Sequence, residues 1–321
     1  MSRERMRRGL GTVLWAALAV VLCAGCGRTK PARPVVRDDA YYDRMLISGH
    51  AAFERDDIER AADLFENAWV RAQVMDRPAA LGVSGFNLAL VHILRGEYEA
   101  GQALLQQART ELERAGENAA HTWVAEAEVL QRLQQPEAAW AATETALAEL
   151  GSRRDRPARM QVHALRALLA LERDEPETAQ AELDLAERQW RRDTPWQLRA
   201  RAEEARGGLL LQRDEWAAAG AAFDQEALYY GHAGRFTDMA RALARAAAAY
   251  QADGDDRAAV DRYYRAARHH YALNRPEPAL RLIEQALPSL EACEDPELER
   301  RLARLFENLR AAVKQQVADD V

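Results

Sequence analysis

Two cysteines stand close together near the start of the sequence, in the stretch LCAGC that contains Cys23 and Cys26. A cysteine sulfur can carry a lipid, form a disulfide or bind a metal. Arginines precede the pair, and residues 10–22 form an apolar run that is too short for a membrane-spanning helix of about 20 residues. Charged, apolar and small residues follow one another as in a cleaved secretory signal. We therefore predict a signal peptide over residues 1–25.

The residues Ala24, Gly25 and Cys26 resemble the lipobox of bacterial lipoproteins, although Cys23 stands where that family usually has leucine. The resemblance implies that Cys26 carries diacylglycerol and becomes the new N-terminus. Because Gly27 rather than aspartate follows, it also implies a lipid anchor in the bacterial outer membrane, facing the periplasm. The cell surface, the inner membrane and a soluble secreted protein are the alternatives.

Residues 26–40 are predicted to be a flexible tether, since prolines keep them extended and arginines keep them solvated. After cleavage only Cys293 would remain as a free thiol, so no intramolecular disulfide is expected.

Other residues with chemical potential do not form a recognisable active site. Ser84 lies in LGVSGF, which lacks the G-x-S-x-G spacing and is interpreted as a helix start. His269 and His270 are adjacent, and neighbours on a helix diverge by about 100°, so they do not converge on one metal. No phosphate-binding glycine motif occurs. We predict no catalytic residue, no metal site and no cofactor beyond the lipid on Cys26.

The chain carries a net charge of −7. Because nucleic-acid binding needs a basic face, the sequence predicts no nucleic-acid partner.

One pattern of residue sizes returns along the chain: a small residue, a bulky one four positions later, and usually alanine three positions after that. Its starts are 40, 38, 40, 40 and 40 residues apart, and only the fifth copy breaks it, with Glu226 in place of alanine. The copies are Ala61, Phe65, Ala68; Gly101, Leu105, Ala108; Ala139, Thr143, Ala146; Ala179, Leu183, Ala186; Ala219, Phe223, Glu226; and Ala259, Tyr263, Ala266.

A second small residue lies twelve positions before each start, and a polar turn lies between the two marks. These residues are Gly49, Ala89, Ala127, Ala167, Gly207 and Ala247. The pattern predicts helix, tight turn and helix in each unit, because two helices approach closely only where their facing side chains are small. Such units must stack to bury their apolar faces.

This organisation resembles the tetratricopeptide-repeat family, with units longer than the family's usual 34 residues. The resemblance implies an all-α fold, a superhelical solenoid of antiparallel helix pairs. Residues 41–275 would form six repeats, and residues 276–321 a degenerate repeat with a C-terminal capping helix.

In such a solenoid the first helix of each pair lines the concave side. The repeat phase places on that side His50, Phe86, Asn87, Leu90, Ile93, His121, Glu128, Leu168, Glu204 and Arg241. The family's clamp for a terminal carboxylate is not indicated, so an amphipathic helix or an extended segment is the expected ligand.

The combined resemblances imply a non-enzymatic, lipid-anchored adaptor that binds protein or peptide partners during assembly of a cell-envelope complex. Pilus or secretin assembly, outer-membrane protein insertion and recruitment of cell-wall enzymes all fit. A helical enzyme with an unfamiliar site and a self-associating structural protein remain the alternatives. The segments ALYYGHAGRF (227–236) and YYRAARHHY (263–271) are predicted to be half core and half sticky surface.

Overall fold

The computed structural model describes residues 39–53, 55, 57–152 and 155–319. The predicted signal peptide, Cys26 and nearly all of the predicted tether lie outside the described residues. Within the described ranges the chain forms helices and no strands. The helices are α1 Ala40–Phe53, α2 Ile58–Met75, α3 Pro78–Leu94, α4 Tyr98–Arg114, α5 Ala120–Arg132, α6 Pro136–Leu150, α7 Arg156–Glu172, α8 Pro176–Gln189, α9 Trp196–Gln212, α10 Trp216–His232, α11 Phe236–Asp253, α12 Asp256–Ala272, α13 Pro276–Ala292 and α14 Pro296–Asp319.

The chain divides into two compact units. Unit 1 comprises the residues up to Leu169 together with Arg188–Pro195, and it contains α1 to α6 and most of α7. Unit 2 comprises Ala170–Glu187 together with the residues from Trp196 onward, and it contains most of α8 and all of α9 to α14. In each unit consecutive helices pack against one another, so the prediction of an all-α array of antiparallel helix pairs is confirmed.

The small residues of the repeat pattern form the seams between paired helices. The alanines at both marks are fully buried, and so are the bulky residues that follow the first mark. In unit 1 a Cβ atom added to Gly49 would lie 2.5 Å from the Phe65 ring, and in unit 2 one added to Gly207 would lie 2.4 Å from the Phe223 ring. In each case the phenylalanine ring therefore occupies the space that a side chain at the glycine position would need. This close fit explains why small and bulky residues recur at fixed positions along the sequence.

The polar turns after α3, α5, α7, α9 and α11 end these helices in the same way. Gly96, Gln134, Asp174, Asp214 and Gly254 adopt φ between 55° and 90°, the left-handed conformation that closes a helix. The next amide then donates back into the first helix, as from Glu215 N to Leu210 O at 3.0 Å. This backbone geometry tolerates Gly, Asn and Asp better than other residues, which accounts for the residue type at four of these five positions, Gln134 being the exception.

The last helix closes one end of unit 2. Its leucines Leu298, Leu302, Leu305 and Leu309 are buried in one cluster with Ile283 of α13 and Tyr263 of α12. Its remaining face is mostly polar. Helix α14 thus covers the apolar side of the preceding pair, as a capping helix of a repeat array must.

Candidate partner-binding surface

His50 of α1, which was predicted to line the concave side, lies against the core of unit 1. The ring of His50 meets the ring of Phe65 edge-on, with 5.2 Å between the centroids. Burial lowers the pKa of His50 from its ordinary value, so the ring is neutral at pH 7. His50 therefore supports the first seam of unit 1.

The four predicted residues of α3 are engaged in packing. Phe86, Leu90 and Ile93 contact a cluster that includes Leu105 of α4. Asn87 is buried, and its side-chain amide donates to the Val83 carbonyl 2.9 Å away in the same helix. The structure thus places Asn87 in the packed interior rather than on an open face.

Ser84, on the same helix, is also buried and lies inside α3 rather than at its start. Its hydroxyl donates to the Ala80 carbonyl at 2.7 Å.

The remaining predicted residues of unit 1 have polar partners or lie half-buried. His121 Nε2 lies 3.2 Å from Asp155 Oδ2, and Asp155 in turn accepts the Ala158 amide at the start of α7. Burial opposes ionisation of Asp155, but these two hydrogen bonds outweigh it and hold its pKa below the usual value.

Helices α5 and α7 are bridged by a second polar pair. Glu128 accepts a hydrogen bond from the Gln161 side chain at 3.1 Å. Leu168 is half-buried on α7. The first-helix face of unit 1 is therefore largely apolar, with its polar groups already paired.

In unit 2 the structure brings the predicted residues Glu204 and Arg241 together around a third residue, Arg245 of α11. One terminal nitrogen of Arg245 donates to Glu204 Oε1 at 3.0 Å, and the other donates to Glu226 Oε1 of α10. Arg201 lies 3.9 Å from Glu204 Oε2. We call Arg201, Glu204, Glu226, Arg241 and Arg245 the arginine–glutamate cluster.

Glu226 is the buried member of this cluster. Its side chain is 0% exposed, and its Oε2 atom has no hydrogen-bond partner among the described residues. Burial raises the pKa of Glu226 to about 8; the nearby Glu204 carboxylate adds to this effect, while Arg245 opposes it. Glu204 has a lowered pKa, because attraction to Arg201, Arg245 and Arg241 outweighs its burial.

Sequence analysis did not assign a role to Glu226 or Arg245. The available signal was that Glu226 occupies the position that holds alanine in the other repeats. A carboxylate at a seam position is costly unless a cation from a neighbouring helix pairs with it. Arg245 supplies that cation.

An open groove of about 490 Å³ adjoins the cluster. It is lined by Arg241, Ala244, Arg245, Ala248 and Gln251 of α11, Tyr263 of α12, and Gln285 and Pro288 of α13. The two arginines can pair with carboxylates, the glutamines can bond to a peptide backbone, and the alanines leave room for a chain to approach. No acidic side chain lines this groove.

The described residues hold neither a cluster of metal ligands nor a membrane-spanning helix. In the described part of the chain, no three or more His, Cys, Asp and Glu side chains converge as metal ligands. None of the helices described above combines the length and hydrophobicity needed to span a bilayer.

Cys293 is buried at the end of α13, and burial raises the pKa of its thiol.

No protein-family model matches the sequence, and no curated protein matches it. Solved structures do match the fold. A Rap protein complexed with Competence and Sporulation Factor is 12% identical over 86% of this chain and 99% of its own, with a TM-score of 0.55. Cut9, solved with Hcn1 as an APC/C hetero-tetramer, is 12% identical over 92% of this chain and 46% of its own, with a TM-score of 0.52.

BtubC from P. vanneervenii is 16% identical over 74% of this chain and 93% of its own, with a TM-score of 0.50. At these identities the likeness concerns the fold alone. Together with the paired helices and their buried seams, it shows that the chain has a tetratricopeptide-repeat fold.

Proposed function

We propose that this protein is a scaffold that binds a protein or peptide partner in the groove of unit 2. The observation that carries the proposal is the placement of Arg241 and Arg245 in an open groove above the buried carboxyl group of Glu226. Glu226 and Glu204 hold the guanidinium of Arg245 in place, so the groove is organised before a partner arrives. Such preorganisation lowers the entropy cost of binding.

The lining favours a segment that carries carboxylates, in an extended or helical conformation. The side chain of Arg241 is 45% exposed. Within the described part of the chain, its guanidinium donates one hydrogen bond, to Asp238 at 2.6 Å. A Rap protein of the same fold was solved with Competence and Sporulation Factor, which supports a binding role for such helix arrays.

The groove is tested by reversing one charge. The Arg241→Glu variant should lose at least about tenfold of partner recovery in a pull-down from detergent-solubilised membranes, because an exposed cation of the groove becomes a carboxylate that repels the partner's carboxylates. Arg132→Glu is the matched control, since Arg132 is exposed at the end of α5 in unit 1. A partner recovered equally with both variants would refute the groove as the binding site.

The sequence near Cys26 supports a more specific proposal. The protein is anchored by diacylglycerol on Cys26 in the outer membrane, faces the periplasm and binds its partners during assembly of an envelope complex. A chemically tagged fatty acid should label the wild type and Cys23→Ser, but not Cys26→Ser. Labelling of Cys26→Ser, or loss of label only in Cys23→Ser, would contradict the assignment.

A further inference from the structure

The two aromatic segments singled out in the sequence meet at one end of unit 2. Helices α9 and α11 begin at this end, and α10 and α12, which pack against them, finish there. We call residues 196–199, 228–239 and 268–278 the aromatic end. The groove begins just beyond the aromatic end, where Arg241 pairs with Asp238, and its other α11 residues lie further along that helix.

Rings from paired helices stack at this end. The Trp196 ring lies 5.8 Å from the Tyr229 ring and 4.8 Å from the His232 ring. Forty residues later, Phe236 stacks on His269 with 6.5 Å between centroids and 7° between planes. The repeat therefore places a ring pair at the same position in two successive helix pairs.

Large apolar side chains at this end face solvent. Leu228 is 49% exposed, Phe236 47%, Tyr271 38% and Leu273 38%. Of the large apolar residues described in unit 2, only one other, Leu287, is comparably exposed. Four exposed large apolar side chains at one end of a unit indicate a surface that is covered in the working protein.

The charge at this end is opposite to that of the whole chain. Its three segments hold four arginines against two carboxylates, whereas the chain carries −7. The guanidinium carbon of Arg199 lies 4.6 Å from the centre of the Trp196 ring. Arg268 and Arg275 are exposed.

We propose that the aromatic end binds an anionic lipid surface. Trp and Tyr rings are favoured at the level of lipid headgroups, and arginines extend their charge to phosphate while their stems cover apolar surface. Each basic residue near an anionic bilayer strengthens binding about fivefold. The combination of exposed apolar tips with net positive charge fits this surface better than it fits a neutral partner.

Trp196 reports on the proposal directly. The full-length chain is reconstituted into vesicles of phosphatidylglycerol with brominated acyl chains, and the difference in fluorescence between wild type and Trp196→Phe gives the Trp196 signal. Trp216→Phe gives a matched control, because Trp216 begins α10 at the opposite end of the same unit. We expect brominated phosphatidylglycerol to quench Trp196 strongly and Trp216 weakly, and brominated phosphatidylcholine to quench neither.

Charge reversal separates lipid binding from the anchoring of the N-terminal segment. Arg268→Glu with Arg275→Glu should abolish the quenching of Trp196, while Arg60→Glu with Arg132→Glu, which changes the net charge equally in unit 1, should preserve it. Circular dichroism verifies that both variants retain their helices. Equal quenching of Trp196 and Trp216, or quenching of Trp196 that is insensitive to lipid charge, would overturn the proposal, and so would protection of Trp196 by a protein partner without lipid.

Discussion

The first-helix faces of the two units lie over similar seams and carry different chemistry. In unit 1 this face presents Phe86 and Leu90, which pack on the neighbouring helices. In unit 2 the corresponding face presents Glu204, Arg241 and Arg245. The seams beneath are alike in both units, since a glycine of the first helix receives a phenylalanine ring of the second. The seam residues therefore set the helix packing, and the residues on the face can change without disturbing it.

The units differ at one seam position. The third residue of the repeat pattern is a fully buried alanine in the copies other than the fifth, where it is Glu226. Arg245 makes this substitution tolerable, because its guanidinium, from the next first helix, donates to the buried carboxyl group of Glu226. Substitutions at single positions can distinguish this pairing from a fold that tolerates a buried carboxyl group without a partner.

The largest effect is expected from placing a carboxylate at the same position in unit 1. Ala146 is buried between Val124 and Val162. Ala146→Glu should lower the free energy of unfolding in urea by about 3 kcal/mol or more, because the charge would lack a partner. Ala148→Glu, at an exposed position of the same helix, should change it by less than about 0.5 kcal/mol. A tolerated Ala146→Glu would show that Glu226 needs no special explanation.

The seams should respond equally in the two units. Gly49→Ala and Gly207→Ala each drive a methyl group into a buried phenylalanine ring, and the expected loss of unfolding free energy is about 1–3 kcal/mol for both. Gly96→Ala tests a different effect, since Gly96 has φ of 80° and open space around it. The Gly96→Ala variant should lose about 1 kcal/mol of unfolding free energy, as measured by thermal unfolding. Unequal losses at Gly49 and Gly207 would mean that the seams are not equivalent.

Glu226 should make the stability of the protein depend on pH. Its folded pKa of about 8 lies above the ordinary value of 4.5, so the folded chain holds this proton more tightly than the unfolded chain. The resulting stabilisation is complete below pH 4.5 and is lost as the pH rises to about 8. Glu226→Gln lacks this dependence.

The free energy of unfolding of Glu226→Gln, relative to that of the wild type, should therefore rise by about 1–3 kcal/mol as the pH increases from about 5 to about 9. Urea unfolding of both proteins at each pH measures this difference. Glu204, whose pKa is lowered, contributes the opposite slope below pH 4.5 in both proteins. A difference between the two proteins that stays constant with pH would contradict the raised pKa.

The smallest effect is expected at exposed ion pairs, whichever unit contains them. Arg95→Ala removes a pair with Glu59, which is 80% exposed, and Arg257→Ala removes a pair with Asp295 in which the arginine is 79% exposed. Both should leave the unfolding free energy nearly unchanged, since water screens such pairs. A larger loss at one of them would reveal an electrostatic difference between the units beyond the cluster.

The sequence predicted the seams well, because they depend on residue size and residue size is visible in the sequence. Ala61, Phe65 and Ala68 are buried as expected, and so are their counterparts in the later copies. The phase of the repeat also selected Glu204 and Arg241, which the structure brings together. It could not distinguish Asn87, whose amide bonds to its own helix, from a residue that faces a partner.

The arginine–glutamate cluster was beyond reach for a physical reason. Arg245 contacts Glu226 and Glu204, which precede it by 19 and 41 residues on two different helices. Repeat phase indicates which face a residue occupies, but the choice of pairing partner depends on side-chain rotamers and on the distance between helices. The break in the pattern at Glu226 marked the place without indicating its partner.

The binding role of the groove in unit 2 is tested most directly by photo-crosslinking at single positions in living cells. Benzoylphenylalanine at Ala248, an exposed groove residue, should form a discrete cross-linked species that disappears when Arg241→Glu is added. The same probe at Ala221, exposed on α10, should not form it. Identical products at both positions, or no product at Ala248, would contradict the account.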